Sequence, residues 1–196
     1  MSSSSNKRRS VMPAAAQAGP KAPVIFSSSI TIADQAMLSG AYPIAVSSES
    51  VVHPRARFDS AGGPVNVGRR CIVHERAVLG APSAGNHYVE GSVTLADLVT
   101  VEAAAVVECG GTYVGEGTTV GVGCRIGAGA SIGKHCTLTP MSVVVSGEKV
   151  PDFTVIYSNG MRRIDKRNMQ GLRNPVQSRH IEVLRRLIPS NPAKFQ

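Results

Sequence analysis

The sequence predicts an all-β solenoid, a parallel β-helix of hexapeptide repeats followed by one C-terminal α-helix, and three observations predict it. First, an aliphatic residue recurs every sixth position at Val114, Val120, Ile126, Ile132, Leu138, Val144, Val150 and Ile156. Second, two residues before each stands Thr112, Thr118, Cys124, Ala130, Cys136, Ser142, Glu148 or Thr154, all small except Glu148. Residues two apart on a strand share a face, so each aliphatic and its small partner point inward together. Third, glycine follows the aliphatic at Gly115, Gly121, Gly127 and Gly133. A chain that bends every few residues profits there from tolerance of positive φ. Short strand, corner, short strand is the repeat of a parallel β-helix, at roughly 18 residues to a coil.

The frame extends backwards with slips. Leu95, Val101 and Val107 keep the spacing before a one-residue insertion ahead of Val114; Val67, Val73 and Leu79 form an earlier run with Cys71 and Ala77 as inner partners. Val52 with Phe58, and Ile32 and Leu38 with Ile44, begin the series. Together these runs make about six coils. Gly80 to Ser92, rich in Gly, Ala, Ser and Pro, breaks the frame and is expected to bulge outward, and residues 59–66 make a smaller interruption.

Beyond the last coil the period becomes helical. Asn174 suits an N-cap with Pro175 in the first turn, and Ile181, Leu184, Leu187 and Ile188 repeat along one face until Pro189. The expected organisation is therefore a disordered basic tail over residues 1–23, a β-helix over 24–160, and an extension over 161–196 with a helix at about 175–188. The helix is expected to cover a flank or end of the prism, leaving the end near Ile32 open for docking.

Net charge is +8, and its placement is informative. Residues 1–23 carry four basic residues and no acid, residues 24–160 eight basic and eleven acidic, and residues 161–196 nine basic and two acidic. Basic tails without interleaved aromatics argue against nucleic acid. No apolar run is long enough to insert in a membrane, and the tail prolines Pro13, Pro20 and Pro23 suit neither a secretory signal nor an amphipathic transit helix. The four cysteines, Cys71, Cys109, Cys124 and Cys136, include no CxxC pair and read as buried small residues in a reducing, cytosolic compartment.

Hexapeptide prisms serve as acyltransferases, zinc carbonic anhydrases or scaffolds, so the site has to choose. The histidines are His53, His74, His87, His135 and His180. No two have a zinc enzyme's within-strand spacing, although the separation of His53 from His74 is near one coil and stacks them on one face; they are the weak metal candidates. His87, in the excursion loop, is the candidate acyltransferase base. Glu148 interrupts the small column and is expected to escape at a corner or pair with an arginine of the extension.

Val52-His53-Pro54-Arg55-Ala56-Arg57, then Ala61-Gly62-Gly63-Pro64-Val65-Asn66-Val67-Gly68, resembles the dynactin subunit 6 family. The resemblance resumes at Thr154-Val155-Ile156-Tyr157 and Arg162-Arg163 and ends at Leu184-Arg185-Arg186-Leu187-Ile188-Pro189, spanning roughly residues 28 to 192. The left hand of the helix is likewise implied by the resemblance to hexad proteins, against the usual crossover rule. The dynactin resemblance implies a non-catalytic structural subunit of the pointed-end complex, without cofactor, in the cytoplasm and cytoskeleton. Its implied partners are dynactin subunit 5, a companion β-helix, with subunit 4 and the pointed-end actin-related protein. The role implied is support of dynein-driven microtubule transport and cargo selection. Ile32 and Leu38 at the open end, and Arg162 and Arg163 beyond the last coil, are the expected partner contacts. A γ-type carbonic anhydrase-like or acyltransferase enzyme is the alternative.

Overall fold

The computed structural model describes residues 22–83, 87–167 and 170–196. Its strands wind into three parallel sheets that form the sides of a prism. The first sheet runs from Val24–Phe26 to Lys149–Val150, the second from Thr31–Ile32 to Thr154–Ile156, and the third from Met37–Gly40 to Val143–Val144. Strands pair across successive coils in register, as in Val93 with Thr112, Thr94 with Tyr113 and Leu95 with Val114. All eight aliphatics from Val114 to Ile156 are buried, as are their small partners apart from Glu148. The expected β-solenoid of about six turns is the observed fold.

The small inward residues do more than fill space. Thr118 Oγ1 donates to Gly133 O at 2.9 Å, Ser142 Oγ to Ile156 O at 3.1 Å, and Cys136 Sγ to Pro151 O at 3.2 Å. Each clip ties an inward side chain to a carbonyl of the following coil, at a corner for Gly133 and Pro151 and at the strand end for Ile156, which also accepts from Thr139 N. The same confinement makes the thiols inert: burial pushes Cys71 up to about 12, far from a reactive thiolate.

The glycine expectation needs a correction. The positive φ lies two residues after the glycine that follows each aliphatic, for example at Gly117 (φ 65°), and non-glycine residues hold equivalent corners at Arg70, Leu98, His135 and Phe153. Gly115 is required for a different reason: a Cβ there would stand 2.5 Å from the carbonyl carbon and oxygen of Gly133 in the next coil. Close stacking of coils, rather than backbone conformation, selects that glycine.

The one-residue insertion before Val114 appears as a register shift after Val107. Glu108 occupies it, buried, with Oε2 accepting from Ala128 N at 3.2 Å and Oε1 3.7 Å from Arg125. The loop after Leu79 leaves the frame later than predicted, because the strand continues through Ala81. Residues 84–86 lie outside the described residues, as does the expected basic tail up to residue 21.

The helix α1 spans Gln170–Leu187, beginning five residues earlier than its Asn-Pro signal suggested and placing Pro175 inside. Proline's fixed φ matches a helix, so near the N-terminus it removes one hydrogen bond without ending the element. Ile181, Leu184 and Ile188 pack on Val51 and Ile72 of the second sheet, whereas Leu187, expected on this face, is exposed. Val51 and Ile72 point outward from the prism and are nevertheless buried, because α1 covers them.

The chain then crosses to the first coil. Ser190 bridges Ala33, Asn191 N donates to Ile32 O at 3.0 Å, and Phe195 meets Phe26 edge-on with ring centroids 6.5 Å apart. Lys194 Nζ lies 3.1 Å from the Asp34 carboxylate. The end expected to be open is thus covered, and Ile32 is fully buried. At the other end, Arg162–Ile164 adds an antiparallel strand to the second sheet alone. Among the described residues no strand pairs beyond Val143–Val144 or Lys149–Val150.

Candidate functional site

The chemistry-bearing side chains gather where α1 crosses the second sheet. Along that sheet's outer column Val51 pairs with Ile72, Ile72 with Thr100, Thr100 with Thr119, and Thr119 with Thr137. The helix covers the first two, and the three threonines continue as a ladder with a coil spacing of about 4.8 Å. Between ladder and helix lies a groove of about 330 Å³ lined by Thr100, Gly117, Thr119, Thr137, Val176, Gln177 and His180 over Ile72. Among the described residues no Lys, Arg, Asp or Glu side chain lines it.

At the Ile72 end three imidazoles meet. His53 and His74 follow the inward Val52 and Val73 at the same corner of successive coils, and their rings stack with centroids 4.5 Å apart. His180 of α1 lies 6.3 Å from His74. Glu102 takes the same corner position in the next coil, after Val101. His53 Nε2 is buried without a hydrogen-bond partner. Burial, then the neighbouring His74 and His180, bring His53 down to about 4, and burial likewise lowers His74. Both rings are therefore uncharged at neutral pH.

The His53 and His74 stack was legible from their separation of one coil plus a slip. His180 was not, because nothing local indicates which flank receives α1; the signal was the outward pair Val51 and Ile72, adjacent aliphatics where the next three coils carry Thr. As metal ligands the stacked rings are poorly arranged, since imidazole lone pairs lie in the ring planes, and these planes are stacked one over the other at an inclination of 29°. Among the described residues no group of three His, Cys, Asp or Glu is placed to hold a metal ion.

The other candidates lie apart. His87 is exposed in the loop, its carbonyl accepting from Ser83 N at 2.9 Å, and it lines no part of the groove. Beside it Tyr88 donates to Asp59 Oδ2 at 2.6 Å, a bond that with burial raises the phenol to about 12. Glu148 ion-pairs with Arg162 at 2.6 Å, as one sequence reading anticipated. Leu38 is half-buried against the core, and Arg162 and Arg163 are exposed. No helix among the described residues is long and apolar enough to cross a membrane.

The chain has the fold of hexapeptide-repeat proteins. A hexapeptide transferase family protein from Anaplasma phagocytophilum superposes with a TM-score of 0.66 at 13% identity, over 85% of this chain and 94% of that one. A putative acetyltransferase from Bacillus cereus gives 0.67 at 20% identity, over 86% and 98%. No family model matches the sequence, and no curated protein does. The expectation of a non-catalytic chain is corrected by these two neighbours, which match over nearly their whole length and are described as a transferase family protein and a putative acetyltransferase; at these identities what is shared is the fold. Nothing among them links the chain to dynactin, so what the resemblance correctly identified is the hexapeptide solenoid. The segments quoted for dynactin form strands and corners of the coils, the antiparallel strand at Arg162–Ile164 and the end of α1.

Proposed function

We propose that this chain is a hexapeptide-repeat acyltransferase whose groove between α1 and the second sheet holds the acceptor, with His180 as general base. The observation that carries the reading is His180 lining a hydroxyl-walled groove and backed by two uncharged imidazoles. In the reaction the acceptor's hydroxyl or amine gives its proton to a ring nitrogen of His180 as its oxygen or nitrogen attacks the carbonyl of an acyl thioester. The carbon–sulfur bond then breaks, and the departing thiolate takes up a proton. General-base help of this kind contributes about 10²–10⁴-fold. The threonine hydroxyls supply hydrogen bonds to the polar groups of the acceptor.

The test is thiol release from acyl thioesters by the purified chain across a panel of sugar and amine acceptors. Turnover that falls by about 10²-fold or more in His180→Ala, with an unchanged circular dichroism spectrum, supports the assignment. No turnover with any acceptor, or equal turnover in the variant, removes it.

A second reading concerns assembly and is favoured by the open C-terminal end. There, among the described residues, the strand Val143–Val144 has no outer neighbour, and Met141, Val143 and Val145 are exposed. We infer a companion β-solenoid at this end, for which dynactin subunit 5 is the candidate implied by the resemblance, with Arg162 and Arg163 beside the contact. Ile32 is buried and contributes nothing. Co-purification from the native cell, lost in Val143→Glu, is the expected result; an unchanged set of co-eluting chains in the variant rejects this face.

A further inference from the structure

The apolar seat of α1 and the imidazole cluster are one patch. Val51 and Ile72 lie two residues before His53 and His74, and Ile181, which packs on them, directly follows His180. The ties that hold the helix there include Ile181, Leu184 and Ile188 on two aliphatics, and Gln177 Nε2 donating to Arg70 O at 3.0 Å. Facing the histidines from the solenoid are the carboxylates of Glu75 and Glu102, and from the helix His180 itself. Uncharged rings stack at these distances without penalty. Protonated rings would bring two or three positive charges to 4.5 and 6.3 Å between centroids, in a place where His53 Nε2 has no acceptor and little water.

We propose that His53, His74 and His180 form a proton-operated latch. In neutral surroundings α1 lies on the second sheet; in mildly acidic surroundings protonation of the cluster drives the helix from the flank and uncovers Val51 and Ile72, while the solenoid stays wound. The hydrophobic core that holds the coils together consists of Val, Ile, Leu, Ala, Cys and Phe side chains and no histidine, so the charge developing on the cluster lies outside it. The released helix stays tethered through Ser190–Phe195 on the first coil. The direction agrees with the lowered affinity of His53 and His74 for protons: the released state binds them more tightly, so acid favours release. The latch stands independently of acyl transfer, since its readout is the position of α1.

The experiment is methyl NMR on the full chain between pH 7.5 and 4. Contacts of the Ile181 and Leu184 methyls with those of Val51 and Ile72 are followed together with solenoid methyls such as Ile126 and Ile132. The expected result is loss of the helix contacts with a midpoint between about 4 and 6.5 while the solenoid signals persist. In His53→Gln/His74→Gln the midpoint should fall by about one pH unit or more. If that variant fails to fold at pH 7.5, His180→Gln is read by the same criterion, its side chain being at the exposed edge of the cluster. Contacts that survive to pH 4 in the natural chain, or vanish at the same pH in the natural and variant chains, overturn the proposal.

Discussion

Gly115 and Ile132 show how a single position is constrained in this fold. An added Cβ at Gly115 meets the backbone of the next coil at 2.5 Å, and a backbone cannot rotate aside as a flexible side chain does. Gly115→Ala should therefore cost about 1–3 kcal/mol, read as a lower denaturation midpoint in urea. Ile132 is fully buried in the column of aliphatics, and Ile132→Asp places an unpaired carboxylate there. Loss of the cooperative thermal transition is expected, and natural stability in that variant would contradict the inward register. Inward positions were legible residue by residue because burial alone dictates them. Corner chemistry was less so: glycine looked like a turn residue at Gly115, where the constraint is distance to another coil.

At the level of elements, α1 was visible as a helix, but its seat was not. Ile181 and Leu184 bury against Val51 and Ile72, so Ile181→Ala should remove about 2–4 kcal/mol from helix docking. Faster amide exchange across residues 181–187, with solenoid amides unchanged, is the measurement that reads it. Leu187 has the spacing of the apolar face yet is 71% exposed. The patch on the second sheet offers two outward aliphatics, and they accommodate Ile181, Leu184 and Ile188 without a fourth partner. Periodicity counts the apolar residues available, whereas the receiving surface sets how many are used.

On the scale of the whole molecule, the two ends differ. The tail after Pro189 covers the first coil through Ser190, Asn191, Lys194 and Phe195. Removing residues 190–196 should expose that coil's strand edges and the Phe26 ring, lowering the thermal midpoint and raising self-association measured by light scattering. Acid acts on the whole chain through its histidines. Because His53 is held near 4 in the folded chain against an ordinary 6.5, its folded form gives up protons that the unfolded chain binds. Stability is therefore full above about 6.5 and declines as pH falls toward 4, by on the order of 1–3 kcal/mol. Denaturant midpoints compared at pH 7 and pH 5 test this, the slope flattening in His53→Gln/His74→Gln.

Sequence alone determined the solenoid, its coil length, its inward columns and the stacking of His53 on His74. These follow from a repeat in which every coil buries the same positions against its neighbours, so local spacing carries the global fold. Tertiary structure alone decided the path of the last residues: α1 on the second sheet, the tail on the first coil, and His180 beside two histidines more than a hundred positions earlier in the chain. The extension lies outside the repeat, so only the apolar patches the finished prism leaves exposed select where it binds.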